Sequence, residues 1–253
     1  MKTKILQFGE GNFLRCFIDW MVQRMNERVD FDGAVQIIQP IGDELSAPSK
    51  ILNERGGRYH TCLRGIIDGK TVEELGEVTC VKNVDLWTNV ERYADLPDLR
   101  FVFSNTTEAG IQYVKGENTF PFKVYKLLKA RHAAGLDGLV FIPCELIEHN
   151  GDTLKACVLK YVEDAGETEL GEWITRACVF CSSLSIASSP GGPTPNRPSA
   201  TPSVSASAMT CSCAANRSIS SMTPLRATTI RRTEQERIHR PAGERRAGLQ
   251  FVG

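Results

Sequence analysis

A short apolar segment, Ile5–Phe8, runs directly into two closely spaced glycines, Gly9 and Gly11, and then into an amphipathic helix. A glycine at the first position permits a tight reversal from strand to helix, and a glycine at the second lets backbone N–H groups approach an anion at the positive end of the helix. The pattern therefore predicts a dinucleotide-binding turn. Leu14 stands where a third glycine usually completes this pattern, so on spacing alone an ordinary turn is the alternative.

The helix after the turn supports the dinucleotide interpretation. Its large apolar side chains recur at helical spacing, so that one face can pack on a sheet; they are Phe13, Phe17, Trp20, Met21 and Met25. We predict this helix over 12 to 28, with a first strand at 2 to 8 and a second at 34 to 39. The three elements form a βαβ unit, the core of a parallel sheet.

The end of the second strand usually carries an acidic residue that binds the adenosine ribose. Here the position is Gln39, whose amide can hydrogen-bond a hydroxyl or, more weakly, a phosphate. Gln39 therefore does not decide between NAD and NADP, and Asp43 or Glu44 could take the place of the acidic residue.

Further strands are predicted along the chain. Alternating residues at 58 to 67 and 71 to 81, joined by Asp68-Gly69, predict a hairpin attached to the main sheet. Apolar runs at 100 to 105 and 138 to 143 predict buried parallel strands. Polar clusters at 105 to 110 and 144 to 151 follow them, and both should line the ligand crevice at the carboxyl edge of the sheet.

Two of these clusters also have structural interpretations. Thr107-Glu108 could be a helix N-cap with an acidic first turn, and Asn150-Gly151 could be an ordinary turn. Cys144 is more typical of a small buried residue than of a nucleophile. No serine, histidine and acid are arranged for hydrolase chemistry.

Composition divides the chain at residue 184. Residues 185–253 contain nine Arg, three acidic residues and no Lys, so the first 184 residues hold 21 of the 30 basic and 27 of the 30 acidic groups. The first part, 1–184, has the apolar content of one folded domain. The second, 185–253, is rich in Ser, Pro, Ala and Arg, cannot bury enough apolar surface, and is expected to be disordered.

An Arg-rich tail can bind nucleic acid, but these charges are scattered and no aromatic residue is interleaved for base stacking, so no nucleic-acid partner is expected. A frameshift explains the tail better. The residues from Leu184 to Gly191 can be encoded by CTN TCG ATC GCA TCG TCA CCG GGN, and one G added after the leucine codon restores Leu-Val-Asp-Arg-Ile-Val-Thr-Gly.

Cysteine spacing and hydropathy indicate whether the protein binds metal and in which cellular compartment it works. The nine cysteines include one Cys-x-x-Cys, at Cys178 and Cys181, with no second pair at zinc-ligand spacing, so no metal is expected. With neither a signal peptide nor a long apolar run, we expect no membrane contact and a cytoplasmic protein with reduced thiols.

Several separated segments resemble the mannitol dehydrogenase family of long-chain polyol dehydrogenases. They are Gln7 to Arg15, Asp19-Trp20-Met21, Phe103 to Gly110 and Cys144 to Gly151. The resemblance covers residues 3 to 184 and implies an α/β fold, namely a Rossmann-like NAD-binding domain with a mainly parallel sheet. It also implies a helical C-terminal substrate domain, here missing and replaced by the tail, and the restored Val-Asp-Arg-Ile matches the family's continuation.

The resemblance implies roles for particular residues. The pyrophosphate loop would comprise Gly9, Glu10, Gly11, Asn12 and Phe13. Gln39 would lie near the adenosine ribose, Glu108 on the cofactor rim, and Asn150 would help polarise the reacting carbonyl. The family's general acid/base is a lysine of the C-terminal domain, and the last lysine here is Lys160.

The implied activity is metal-independent hydride transfer between NAD(H) and a small sugar acid in hexuronate breakdown, with tagaturonate and altronate as the expected pair. A chain without the catalytic lysine is expected to be inactive. A fructuronate reductase or a mannitol dehydrogenase relative is the alternative within the family. A noncatalytic nucleotide-binding fragment with a basic tail is the alternative outside enzymology.

Overall fold

The computed structural model describes residues 1–67, 70–184, 210–213 and 249–252. In chain order the strands are β1 (Lys2–Phe8), β2 (Gly33–Gln39), β3 (Tyr59–Ile67), β4 (Lys70–Val78), β5 (Val81–Leu86), β6 (Phe101–Ser104), β7 (Val140–Pro143), β8 (Val179–Leu184), β9 (Thr210–Cys213) and β10 (Leu249–Val252). The α-helices are α1 (Asn12–Leu14), α2 (Trp20–Val29), α3 (Ala47–Glu54), α4 (Phe120–Ala133), α5 (Asn150–Asp164) and α6 (Thr168–Ala177).

The main sheet has the strand order β5-β2-β1-β6-β7-β8-β9. The six neighbouring strands β5, β2, β1, β6, β7 and β8 pair in parallel. β9 joins β8 in antiparallel register, with Cys213 opposite Cys181. From β1 the chain adds β2 and later β5 on one side of β1. It then crosses back, and β6 pairs with the other side of β1. The predicted Rossmann-like fold with a mainly parallel sheet is confirmed.

Side chains alternate along β1 and β2 and build two buried clusters. Leu6 and Phe8 pack with α4, α5 and α6 in one cluster, whereas Ile5 and Val35 pack with the first helices and α3 in the other. Because successive strand residues point to opposite faces, the sheet is covered on both sides. This arrangement explains why β2 is buried along its whole length.

The first helix contains a π-helical turn, Arg15–Asp19, between α1 and α2. It ends at Val29, with Asp30 in the left-handed conformation at its C-terminus. The prediction of one helix over 12 to 28 is thus confirmed in extent, and the π turn is a local departure from it. Such turns free a backbone carbonyl from its usual partner and recur near functional sites.

The predicted hairpin forms, but its place differs from expectation. β3 and β4 pair in antiparallel register and lie in a separate three-stranded sheet with β10, rather than on the main sheet. The predicted second strand of the hairpin is also too long, because β4 ends at Val78 and Val81 begins β5 of the main sheet. The expected Asp68-Gly69 turn lies outside the described residues.

The tail was expected to be disordered. Two of its segments, β9 and β10, are described as strands, and 185–209, 214–248 and 253 lie outside the described residues. In the described part of the chain, no helix is both long and apolar enough to cross a membrane.

Candidate functional site

The nucleotide turn connects β1 to α1 at the carboxyl edge of the sheet. Gly9 has φ +124°, and a Cβ there would lie 3.1 Å from the carbonyl oxygen of Asn105, so the backbone conformation and the close contact both favour glycine. Its N–H donates to the carbonyl of Ile38 at 3.0 Å, which ties the turn to β2. The missing third glycine is accommodated because Leu14 is buried against the turn.

Gly11 and the start of α1 leave room for an anion. Gly11 is the N-cap, and a Cβ added there would meet nothing within 4 Å. No side chain caps the helix and its first turn carries no acidic residue, so the first N–H groups are available to a ligand. Glu10, Asn12 and Phe13 are all half-buried around this opening, and Asn12 Oδ1 accepts a hydrogen bond from Arg15.

Gln39 lies at the end of β2, as predicted, but its side chain is committed to its own loop. The residue is 4% exposed. Its Nε2 donates to the carbonyls of Ile41 and Glu44 at 2.8 and 2.9 Å, and its Oε1 accepts from the N–H of Ser46 at 2.8 Å. Gln39 therefore shapes the loop after β2, while Asp43 and Glu44 are exposed on it.

The segment after β6 forms the next part of the edge. Its backbone is bound to β1, since the N–H of Asn105 donates to the carbonyl of Phe8 at 3.0 Å. Thr107 has φ +80° and ψ 162°, a combination that is costly for any residue except glycine and recurs at ligand sites. Glu108, predicted for the cofactor rim, begins a 3-10 turn here, and only its backbone is described.

Glu145 braces this strained segment from the end of β7. Its carboxylate is buried and accepts three hydrogen bonds, from Ser104 Oγ at 3.0 Å, from the N–H of Thr106 at 2.9 Å and from Thr106 Oγ1 at 3.0 Å. Burial raises the pKa of Glu145, and these hydrogen bonds oppose the rise. The sequence pattern gave Glu145 no role, because its partners lie about forty residues away.

The role predicted for Asn150 does not fit its surroundings. The residue was expected to polarise a substrate carbonyl, but it is 0% exposed. Its Nδ2 donates to the carbonyls of Pro143, Glu145 and Ser183 at 3.1, 2.9 and 2.9 Å, and its Oδ1 accepts from the N–H of Ser183 at 2.9 Å. Both amide hydrogens are thus engaged with backbone, and Asn150 joins the ends of β7 and β8. It opens α5 rather than forming an isolated turn.

A buried cation next to the end of β2 has no counterpart in the sequence predictions. Lys123, on α4, is 6% exposed, donates to the carbonyl of Pro40, and lies 4.6 Å from the centre of the Trp87 ring. Burial lowers the pKa of Lys123. The sequence shows only one of several lysines in a helical segment, and no local signal marks its burial.

In the described part of the chain, no group of three His, Cys, Asp or Glu side chains is placed to hold a metal ion. Six described cysteines lie outside any disulfide, whereas Cys181 is disulfide-bonded, which departs from the expectation of reduced thiols throughout. Cys144 is buried, as expected for a packing residue.

The parallel sheet, the glycine turn and the open helix N-terminus define a dinucleotide-binding domain of the Rossmann class. Residues 3–185 match the mannitol dehydrogenase Rossmann domain, and the chain belongs to the mannitol dehydrogenase family.

Similar proteins agree with this assignment. The altronate oxidoreductase of Bacillus subtilis (strain 168) is 42% identical over 209 residues, which cover 75% of this chain and 42% of the relative. That of Klebsiella pneumoniae is 40% identical over 205 residues, covering 72% of this chain and 40% of the relative. The chain thus spans about two fifths of the length of these relatives.

A solved structure shares the fold. A ternary complex of Pseudomonas fluorescens mannitol 2-dehydrogenase with NAD and D-mannitol superposes with a TM-score of 0.62 at 18% identity, covering 72% of this chain and 41% of that one. A D-sorbitol dehydrogenase in substrate-free form gives a TM-score of 0.59 at 21% identity, covering 73% of this chain and 42% of that one.

Proposed function

We propose that this chain is the NAD(H)-binding part of a dehydrogenase that interconverts tagaturonate and altronate in hexuronate breakdown. The observation that carries the proposal is an open nucleotide turn, Gly9 to Phe13, in a chain about 40% identical to proteins named altronate oxidoreductase. The solved relative with NAD supports the choice of cofactor. Six described cysteines lie outside any disulfide, which favours a reducing compartment, the cytoplasm; the disulfide at Cys181 is the exception.

The residues present fit such a cofactor. Open space at Gly11 and uncapped N–H groups at the start of α1 suit a pyrophosphate. Gly9, Glu10, Gly11, Asn12 and Phe13 would surround it, the ribose would meet the loop that Gln39 shapes, and Glu108 would stand on the rim. When bound, the nicotinamide supplies the hydride for reduction of the sugar-acid carbonyl, or accepts it in reverse.

Selection of NAD over NADP would come from the loop after β2. Asp43 and Glu44 are exposed there, and their negative charges would repel a 2′-phosphate while accepting hydrogen bonds from ribose hydroxyls. Gln39 contributes indirectly by fixing this loop through the carbonyls of Ile41 and Glu44.

Turnover requires a proton donor that this part of the chain does not offer. The family's general acid is a lysine beyond the Rossmann domain, and residues 185–253 contain no lysine. We therefore propose that the chain as it stands binds cofactor without reducing substrate. Asn150 does not replace that donor, since its amide is engaged with Pro143, Glu145 and Ser183.

Fluorescence titration of the full chain with NADH tests the cofactor proposal. We expect saturable binding, weaker binding of NADPH, and loss of binding in Gly9→Ala. Gly116→Ala is the matched control, because Gly116 also has a positive φ, +79°, but lies in open space away from the turn. Absence of NADH binding in the unchanged chain, with the fold intact by circular dichroism, would refute the proposal.

Restoring the reading frame tests the activity. Inserting one G after the Leu184 codon is expected to yield a chain that continues Val-Asp-Arg-Ile and oxidises altronate with NAD. Preference for fructuronate or mannitol would favour the alternative members of the family. Resequencing the genomic DNA across this codon shows which form the gene encodes, and an unchanged sequence with salt-sensitive polyanion binding would favour a noncatalytic protein with a functional basic tail.

A further inference from the structure

A buried polar cluster of Gln7, Asp19 and Tyr59 adjoins the nucleotide turn. Gln7 Nε2 donates to the carbonyl of Gly9 at 3.1 Å, and the Gln7 side chain acts to lower the pKa of the Asp19 carboxyl. Asp19 is 0% exposed and ends the π turn. The cluster thus connects the first helix with the backbone of the turn.

The hydroxyl of Tyr59 has one hydrogen and two oxygen neighbours. It lies 2.8 Å from the carbonyl oxygen of Arg15 and 2.9 Å from Asp19 Oδ2. The carbonyl can only accept, and it belongs to the residue that opens the π turn. When the Tyr59 hydrogen goes to Arg15, Asp19 Oδ2 can bond to the hydroxyl only by donating a proton of its own.

The surroundings of Asp19 also favour the neutral acid. Its Oδ1 is buried without a hydrogen-bond partner, which is very costly for an ionised carboxylate. Burial raises the pKa of Asp19 to about 7, against the opposing effects of Tyr59, Arg15 and Gln7. The guanidinium of Arg15 is itself bonded to Asn12 Oδ1.

The thiols and the phenol that surround Asp19 stay protonated near neutral pH. Burial raises the pKa of Cys16, on the same helix, to about 11. Burial also raises the pKa of Cys80, whose Sγ donates to the Asp19 carbonyl at 3.4 Å, and that of Tyr59 on β3. Arg15 is the charged neighbour, so Asp19 is the group in this cluster that titrates in the physiological range.

We propose that Asp19 is held as a neutral carboxylic acid that donates to Tyr59, and that this proton positions the nucleotide turn. Tyr59 then donates to Arg15, and Gln7 keeps its bond to Gly9. Removal of the proton draws the Tyr59 hydrogen and the Gln7 amide toward the new charge, so Arg15 and Gly9 lose their donors. Asp19 is a positioning residue, and only its effect on cofactor binding rests on the proposed function.

The protonation state is tested without cofactor, on the full chain. With aspartate labelled by carbon-13 at the side-chain carboxyl, one resonance is expected to titrate near neutral pH and to be absent in Asp19→Asn. Asp85 and Asp164 cannot supply that signal, since their pKa values are lowered. A spectrum in which every aspartate has titrated by about pH 5 would overturn the proposal.

The effect on the turn is tested by NADH titration between about pH 6 and pH 8.5. We expect wild-type affinity to fall by about tenfold over this range and Asp19→Asn, whose amide also donates to Tyr59, to stay constant. Tyr59→Phe should bind weakly at both pH values. Tyr93→Phe is the control, because Tyr93 also donates to an aspartate, at 2.8 Å, but outside the cluster.

The outcomes separate the two proposals. Equal pH dependence in wild type and Asp19→Asn would refute the positioning role even if the labelled carboxyl titrates near neutral pH. No NADH binding at any pH, with that titration present, would refute the proposed function and leave the protonated Asp19 standing. Should Asp19→Asn fail to fold, the wild-type titration compared with Tyr59→Phe decides, because loss of the Tyr59 hydroxyl must shift the resonance of a carboxyl bonded to it.

Discussion

Replacing Asn150 by alanine should destabilise the protein strongly, because this amide joins two strand ends. The change removes the donors to the carbonyls of Pro143, Glu145 and Ser183 and the acceptor of the Ser183 N–H. Pro143 keeps a second donor in Ser183 Oγ. The remaining buried groups lose a partner, at about 1–3 kcal/mol for each group left unsatisfied.

We therefore expect the free energy of unfolding to fall by about 3–5 kcal/mol in Asn150→Ala. Urea denaturation followed by tryptophan fluorescence measures it, with an unchanged slope against urea concentration as evidence that the same unit unfolds. Asn118→Ala is the control, since Asn118 is exposed, and should change stability by less than about 0.5 kcal/mol.

A loss below about 1 kcal/mol in Asn150→Ala would show that the bonds of this amide are not the main tie between β7 and β8. Suppose, in addition, that Asn150→Ala in the frame-restored enzyme abolished turnover at full stability. The predicted contact of Asn150 with substrate would then be correct, and its interpretation as a link between β7 and β8 would be wrong. Asn150→Asp should be worse than alanine, because it buries a charge beside backbone carbonyls.

Three further predictions concern the same edge. Glu145→Gln should lower the free energy of unfolding by about 1–3 kcal/mol, because an amide cannot accept all three bonds from Ser104 and Thr106. Thermal denaturation measures this loss against Glu148→Gln, the same change at an exposed glutamate nearby in the sequence. Gly9→Ala should cost about 1–3 kcal/mol from its φ of +124° alone. Urea denaturation measures this cost against Gly11→Ala, because Gly11 has an ordinary φ of −66° and an added Cβ there would meet nothing within 4 Å. For Asp19 the folded pKa of about 7 exceeds the ordinary 3.8, so the protonated carboxyl stabilises the fold fully below the ordinary value. As pH rises from the ordinary to the folded value, this stabilisation is lost by roughly 1.4 kcal/mol per pH unit. Urea denaturation of wild type and Asp19→Asn from pH 4 to 8 isolates this loss, and parallel curves for the two proteins would contradict it.

The elements with local signals could be predicted from the sequence. Apolar runs bounded by glycine or polar residues mark the strands β1, β2, β6 and β7, and the two glycines Gly9 and Gly11 mark the turn. The predicted positions of these elements agree with the structure to within a few residues. β5 could not be separated from β4, because only Val81 and Val84 are buried along it and no turn residue precedes it.

The side-chain roles depended on partners that are distant in sequence. Asn150 looks like a polar residue at a strand end until Ser183, thirty-three residues later, is seen to take both sides of its amide. Asp19 looks like the polar face of a helix, and it is buried because Tyr59 from β3 covers it. Neither relation leaves a periodic or local pattern in the sequence.

The strand order also bears on how the protein is made. Of the described strands, β1 is synthesised before the others, yet it lies inside the sheet, between β2 and β6. Its pairing with β2 closes early, but its other edge has no partner until Phe101–Ser104 has been synthesised. An unpaired apolar edge is a template for aggregation, so translation speed between β1 and β6 and chaperone supply should govern the yield of soluble protein.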